Sequence, residues 1–247
     1  MFYTLVRKDL LLEFRAKEII IPMFAFGLAI ILIFALSFNA SQAINHAFSP
    51  GLLWIIVLFI SSLGLNRMFV LEKEFDAFTL TVAAPVDRGI IFLSKAISGT
   101  ILLLIAEILI IPPFIIFMNL TLPSDWHIMV LILLIGDLGI MSIGAIISGL
   151  SMRAQLSEML LPILFFPLVS PHIIACVKAT NYWFKGLSFI NWQSWIFLMI
   201  SFDLNKGPID LTIILPRLDA FLRPIILNIQ NKEITIINSK KYLIIFI

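Results

Sequence analysis

Charged residues and cysteine are both scarce in this chain of 247 residues. Asp, Glu, Lys and Arg make up 13% of it, against about 25% in soluble proteins. The one cysteine, Cys176, excludes an intramolecular disulfide and a cysteine-rich metal site. Hydrophobic residues make up 61% and the mean hydropathy is +1.08, which excludes disorder, a nucleic-acid-binding domain and a secreted disulfide scaffold. The composition indicates a membrane protein.

Motifs that carry enzyme chemistry are also missing. The sequence has no G-x-x-x-x-G-K-[ST] loop to hold ATP phosphates, no H-E-x-x-H metal motif and no G-x-S-x-G nucleophile motif. We therefore expect no catalytic residues, no bound metal and no nucleotide site in the chain itself.

Apolar stretches predict about six transmembrane helices, since a hydrocarbon core about 30 Å thick requires about 20 helical residues. The polar run at residues 39–51 is interpreted as the turn between the first two spans. The first span lacks a small-residue cleavage pattern and is interpreted as retained. The fold class is predicted to be an all-α polytopic membrane protein. The predicted spans are residues 19–38, 52–65, 96–117, 127–150, 160–177 and a short sixth at 190–204.

The distribution of Lys and Arg predicts the orientation, because cytoplasmic loops carry an excess of these residues. With six spans, 15 of the 17 basic residues fall on the side of both termini, and only Lys178 and Lys185 fall on the other. Both termini are therefore predicted to be cytoplasmic. All five tryptophans then fall at or near the outer ends of spans, where amphipathic rings prefer the membrane interface.

The first 18 residues have the pattern of an amphipathic helix. Apolar residues recur at steps of three and four, and charged residues fill most of the other positions. The pattern predicts a helix in the cytoplasmic interface, with its apolar face in the headgroups. An ordinary cytoplasmic extension of the first span is the alternative.

The loop at residues 66–95 is the most informative polar stretch. An acidic cluster is followed by an apolar run, a proline, an Asp-Arg pair and a lysine at the next span. Such a loop suits a short helix that docks onto a cytoplasmic partner, and a solvated loop whose charges only fix topology is the alternative. The candidate coupling residues are Glu72, Glu74, Asp76, Pro85, Arg88 and Lys95.

The arrangement of this loop resembles the permease subunits of type-2 ABC exporters, where the loop contacts the ATPase. More narrowly, three stretches resemble the cytochrome c maturation haem exporter protein B (CcmB) family over about residues 1–180. They are SPGLLWIIVLFISSLGLNRMF at 49–69, the loop through Pro85 and Lys95, and LPILFFPLVSPHII at 161–174. The resemblance implies a permease of an ABC-type complex in the bacterial inner membrane. It also implies a separate ATPase that binds ATP, companion cytochrome c maturation membrane proteins, a haem chaperone, and haem as the substrate.

Two features depart from the family pattern. Ala77 stands where such loops often carry glycine, and Asn205, Lys206, Gly207 and Pro208 interrupt the end of the sixth span. The atypical tail at residues 205–247, rich in Ile and Asn, is either an extension of this lineage or the product of a shifted reading frame. We expect three parts: the amphipathic helix at 1–18, the transmembrane domain at 19–204 and this cytoplasmic tail.

Two carboxylates fall near the middle of predicted spans, Glu107 in the third and Asp137 in the fourth. A charge at the centre of a bilayer costs about 2.5–3.5 kcal/mol on the insertion scale, and neither residue has a basic neighbour on its own helix. They are interpreted either as part of an intramembrane polar path for transport or as hydrogen-bonded links between helices.

All three histidines, His46, His127 and His172, fall in the predicted outer half of the membrane domain. Imidazole is a usual axial ligand of haem iron, so each is a candidate haem contact. Chance placement is the alternative, since no haem-attachment motif is present.

The sequence thus predicts a permease subunit that couples ATP hydrolysis on a partner to haem export, or to release of a haem-loaded chaperone. Two alternatives stay open. One is a type-2 ABC permease for a lipid, glycan or drug, and the other is a membrane-embedded enzyme that uses Glu107 or Asp137.

The charge distribution generates a topology prediction. A reporter fused after Asn45 or Ser124 should report an external location, and one fused after Asp76 or Gln155 a cytoplasmic one, because basic loops stay in the cytoplasm. Reporter activity at each fusion site measures this. A cytoplasmic signal at Ser124 would rule out the six-span arrangement.

Overall fold

The computed structural model describes residues 2–37, 42–74, 87–121, 123, 125–151, 157–187 and 189–204. All regular secondary structure in these residues is α-helical, which confirms the predicted all-α class. The described helices are α1 (Phe2–Ala16), α2 (Ile20–Ser37), α3 (Gln42–Glu74), α4 (Arg88–Met118), α5 (Trp126–Ser151), α6 (Ser157–Phe184) and α7 (Phe189–Leu204). The predicted tail at 205–247 lies outside the described residues.

Five helices in the described part are long and apolar enough to cross a membrane, which supports a multi-pass membrane protein. The corresponding segments are Ile20–Ser37, Asn45–Val70, Gly89–Met118, Trp126–Gly149 and Leu161–Phe184. The predicted sixth span corresponds to α7, which has 16 residues. At 1.5 Å per residue α7 is about 24 Å long, shorter than the hydrocarbon core of about 30 Å.

From Gln42 onward, the polar run before the second span is helical where the sequence predicted a turn. Helix α3 begins at Gln42 and continues through Pro50. The side chain of Asn45 donates a hydrogen bond to the carbonyl of Met118 at 3.1 Å, and Ser49 Oγ donates to the carbonyl of Asn45 at 2.5 Å. These side chains satisfy their hydrogen bonds within the helical bundle, so their polarity does not interrupt the helix.

Helix α2 packs against α3 and α4 at the edge of the bundle. Its buried residues are Met23, Gly27 and Ile31, whereas Ile33 and Leu36 on its other side are exposed. A Cβ atom on Gly27 would lie 2.7 Å from Ile110 Cδ1, so the glycine permits close approach of α2 to α4. Small residues commonly allow such contacts between transmembrane helices.

Trp54 lies in the core of the bundle, where α3, α5 and α6 meet. Its ring is fully buried, and its indole N–H donates to Thr180 Oγ1 at 2.8 Å. A Cβ atom on Gly136 would lie 2.2 Å from the Trp54 ring, so only glycine fits there. Trp183 and Trp192 are also buried by the protein, and the position of the tryptophans near the outer ends of spans stays a prediction.

Helix α1 ends in a tight turn that leads into α2. Lys17 has a φ of 56°, and its N–H donates to the carbonyl of Glu13 at 2.7 Å. This left-handed residue closes α1 in the manner of many helix C-termini. The turn returns the chain to the bundle, and α1 packs against the beginning of α4.

Candidate functional site

The predicted coupling segment is flanked by two helices, with α3 ending at Glu74 and α4 beginning at Arg88. Asp87 caps α4, and its Oδ1 accepts a hydrogen bond from the N–H of Gly89 at 2.8 Å. Five of the predicted coupling positions lie outside the described residues or have side chains outside them. These are Glu72, Glu74, Asp76, Pro85 and Arg88.

Lys95, the sixth predicted coupling residue, is buried inside the protein. Its Nζ lies 2.9 Å from Asp9 Oδ2, and the two side chains are 7% and 6% exposed. Lys95 therefore binds helix α1 of its own chain and is not presented on the surface to a partner.

Glu107 on α4 and Asp137 on α5 meet between these two helices. Both are buried, with 2% and 0% of their surface exposed, and their side chains lie close enough to interact with each other. None of their four carboxyl oxygens has a partner of hydrogen-bond geometry in the described part of the chain. Two carboxyl groups so placed can share one proton or hold a small cation between them. The sequence identified both residues, and the structure adds that they form a pair.

His172 lies beside this region on α6 and is fully buried. Its Nε2 lies 3.0 Å from the carbonyl oxygen of Gly136, the residue before Asp137. Because a carbonyl only accepts, this nitrogen carries the proton and donates. Its Nε2 would have to give up this bond before it could ligate haem iron.

His46 connects α3 to the segment that follows α4. Its Nε2 accepts a hydrogen bond from the N–H of Thr121 at 3.2 Å and lies 3.0 Å from Thr121 Oγ1. The ring also meets Phe184 edge-on, with centroids 5.9 Å apart. His46 thus links the start of α3 to the chain after α4.

His127 is the exposed histidine among the three. It stands at the start of α5 next to Trp126, which is 65% exposed, and the two rings meet edge-on with centroids 6.5 Å apart. The backbone before them is fixed, because the indole of Trp183 donates to the carbonyl of Asp125 at 3.1 Å. His127 and Trp126 therefore form an accessible aromatic pair on a fixed helix start.

Comparison with known proteins agrees with the sequence resemblance. A family model described as CcmB protein matches residues 1–208. The chain belongs to the CcmB protein family. The match extends over the described helices α1 to α7 and ends close to the beginning of the predicted tail.

Three relatives carry the name heme exporter protein B. The protein of Pseudomonas aeruginosa is 25% identical over 205 residues, which are 83% of this chain and 91% of the relative. The protein of Rhodobacter capsulatus is 26% identical over 185 residues, 75% of this chain and 84% of the relative. That of Haemophilus influenzae is 26% identical over 176 residues, 70% and 78% of the two chains. These transporter names fit the prediction of a chain that is not an enzyme.

The carboxyl pair generates a stability prediction. Glu107→Gln should increase the stability of the detergent-solubilised protein by about 1 kcal/mol or more, since the amide can donate to Asp137 and removes an unpartnered buried carboxyl group. Thermal unfolding of the two proteins measures the difference. Glu18→Gln, at a site 45% exposed, is the control and should change stability by less than about 0.5 kcal/mol. A clear loss of stability in Glu107→Gln would show instead that the carboxyl pair holds α4 and α5 together.

Proposed function

We propose that this chain is the membrane-spanning subunit of an ABC-type complex for cytochrome c maturation, located in the bacterial inner membrane with both termini in the cytoplasm. The family match over residues 1–208 carries the proposal. Relatives named heme exporter protein B cover most of both chains and support haem as the exported compound. The excess of Lys and Arg on one side of the predicted spans supports the orientation.

ATP hydrolysis belongs to a separate subunit in this proposal. The sequence has no P-loop to bind ATP phosphates. Helix α3 continues to Glu74, four residues beyond the apolar segment Asn45–Val70, and the sequence at its end is acidic, which supports a cytoplasmic docking site. The segment between α3 and α4 is the site where we propose that the ATPase docks.

The opposite end of the bundle is where we propose that haem, or a haem-loaded chaperone, is released to the companion cytochrome c maturation proteins. His127 and Trp126 are exposed there, and an imidazole next to a flat aromatic ring suits a planar porphyrin with an iron centre. The Nε2 atoms of His46 and His172 form hydrogen bonds with Thr121 and with the Gly136 carbonyl. In this proposal these two histidines therefore stabilise helix packing and do not bind haem.

The two alternative functions gain less support. The buried carboxyl pair is enclosed, with 2% and 0% exposure, so it offers no open site for an enzyme's substrate. Its place between α4 and α5 suits either a link between these helices or a part of the proposed polar path. None of the three relatives is named as a permease for a lipid, glycan or drug.

Charge reversal of the acidic cluster tests the coupling role. In a bacterium without its own heme exporter protein B, the unchanged chain should restore c-type cytochromes and co-purify with the ATPase. The triple variant Glu72→Lys, Glu74→Lys and Asp76→Lys should do neither, because interface charges select partners. Haem-stained cytochrome yield and pull-down measure both effects.

Lys185→Glu, which reverses an exposed charge after α6, is the matched control and should keep both functions. Undiminished pull-down by the triple variant would contradict the docking site. A chain that binds the ATPase but fails to restore c-type cytochromes would contradict the haem assignment.

Substitution of histidines tests the haem contact. His127→Ala should lower cytochrome yield at least about tenfold if iron ligation contributes a typical coordination energy, and His127→Met should partly restore it, because Met is also an axial ligand. His172→Gln should function better than His172→Met, because glutamine keeps a donor for the Gly136 carbonyl. A normal yield from His127→Ala would exclude direct haem binding by this residue.

A further inference from the structure

Helix α1 presents charged residues, and not only apolar ones, to the rest of the bundle. Its buried residues are Val6, Asp9 and Glu13, which lie at steps of three and four on one face. Leu12 and Phe14, by contrast, are 60% and 57% exposed. The buried face of α1 therefore carries two carboxylates beside Val6, whereas Leu12 and Phe14 lie outside it.

Asp9 joins α1 to α4. The 2.9 Å contact with Lys95 Nζ is a charge-assisted hydrogen bond between two buried side chains. Lys95 stands two turns after the beginning of α4 at Arg88. Asp9 Oδ1 also lies 3.4 Å from Lys8 Nζ, so the buried carboxylate is paired with cations on both α1 and α4. A buried ion pair depends strongly on geometry, because moving one partner away leaves the buried charge less well compensated.

Glu13 joins α1 to α2. Its two carboxylate oxygens lie 3.0 and 3.1 Å from the N–H of Ile19, and Oε1 also accepts from the N–H of Ile20 at 2.8 Å. Ile20 begins α2, so Glu13 satisfies N–H groups that have no partner within that helix. Through Asp9 and Glu13, α1 therefore binds the first turns of α4 and α2.

Methionine side chains line a small cavity next to this contact. A small apolar cavity lies next to Ile19, lined among others by Met23, Met68 and Met141. Methionine side chains are unbranched and flexible, so they refill gaps when neighbouring helices shift. The contacts there are close, since a Cβ atom on Gly99 of α4 would lie 3.0 Å from Met141 Sδ on α5, and the flexible methionines allow small displacements only.

We propose that Asp9 and Lys95 are positioning residues that make α1 and the beginning of α4 move as one unit. This inference rests on the proposed function, since an ATPase docked before α4 would supply the displacement. The ion pair transmits that displacement to α1, and Glu13 transmits it from α1 to α2. Helix α1 thereby acts as a lever between two spanning helices.

An apolar replacement of the ion pair tests the lever. The double variant Asp9→Leu and Lys95→Met keeps a buried contact but removes its directional bond, and such replacements commonly preserve folding. We expect it to bind the ATPase and hydrolyse ATP normally while cytochrome yield falls about fivefold or more. The exchange variant Asp9→Lys and Lys95→Asp should recover part of that yield. Glu18→Gln, which removes an exposed charge 3.9 Å from Arg67, is the control and should keep full yield.

A distance measurement on the intact pair covers the case in which these variants fail to fold. Spin labels at Arg7→Cys and Leu93→Cys, both exposed, are placed in a Cys176→Ala chain purified with its ATPase. On addition of ATP, the distance between them should stay constant, while the distance from Arg7→Cys to a label at Ile163→Cys on α6 changes.

The outcomes separate the two proposals. A change in the distance between labels 7 and 93, or full cytochrome yield from the folded apolar double variant, would overturn the lever. Failure of the unchanged chain to bind the ATPase or to restore c-type cytochromes would instead overturn the proposed function.

Discussion

A polar group buried in a bilayer-spanning bundle costs free energy unless it has a partner, because the hydrocarbon around the bundle supplies none. Most of the architecture of this protein follows from that constraint. Trp54 donates to Thr180, and His172 donates to the Gly136 carbonyl. The carboxylate of Glu13 accepts from the first amides of α2. Each of these contacts joins two different helices, so the demand for partners also determines which helices pack together.

The sequence predicted the spanning helices well, because a long apolar stretch has few alternatives in a membrane. It failed at the polar residues before the second span, where α3 begins at Gln42. Asn45 finds the Met118 carbonyl on α4, and this contact spans 73 residues of sequence. The pattern of polar residues along the chain does not reveal such a partner, because tertiary packing brings the two residues together. The burial of Trp54 escaped prediction for the same reason.

At the candidate sites too, the sequence identified important residues but did not show which residues pair with each other. Glu107 and Asp137 were recognised because charges are rare and costly in apolar segments, but only packing reveals that they face each other. Lys95 was assigned to a docking surface because it ends a charged loop, yet its partner Asp9 lies 86 residues earlier. A signal for this contact existed in α1, where Asp9 and Glu13 occupy the face that carries Val6.

Close contacts between helices occur throughout the bundle, and glycines permit several of them. In the described structure, Gly136 leaves no room beside the Trp54 ring, and His46 binds the backbone of Thr121. Such contacts keep their geometry or break, since well-packed groups and directional bonds do not deform gradually. Around Met23 and Leu65 the helices are equally close: a Cβ atom on Gly64 would lie 2.9 Å from Met23 Sδ, and one on Gly144 would lie 2.1 Å from Leu65 Cδ1. The close helix contacts therefore depend on glycine at both places, and a larger side chain at Gly136 or Gly144 would have to displace the buried side chain of Trp54 or Leu65.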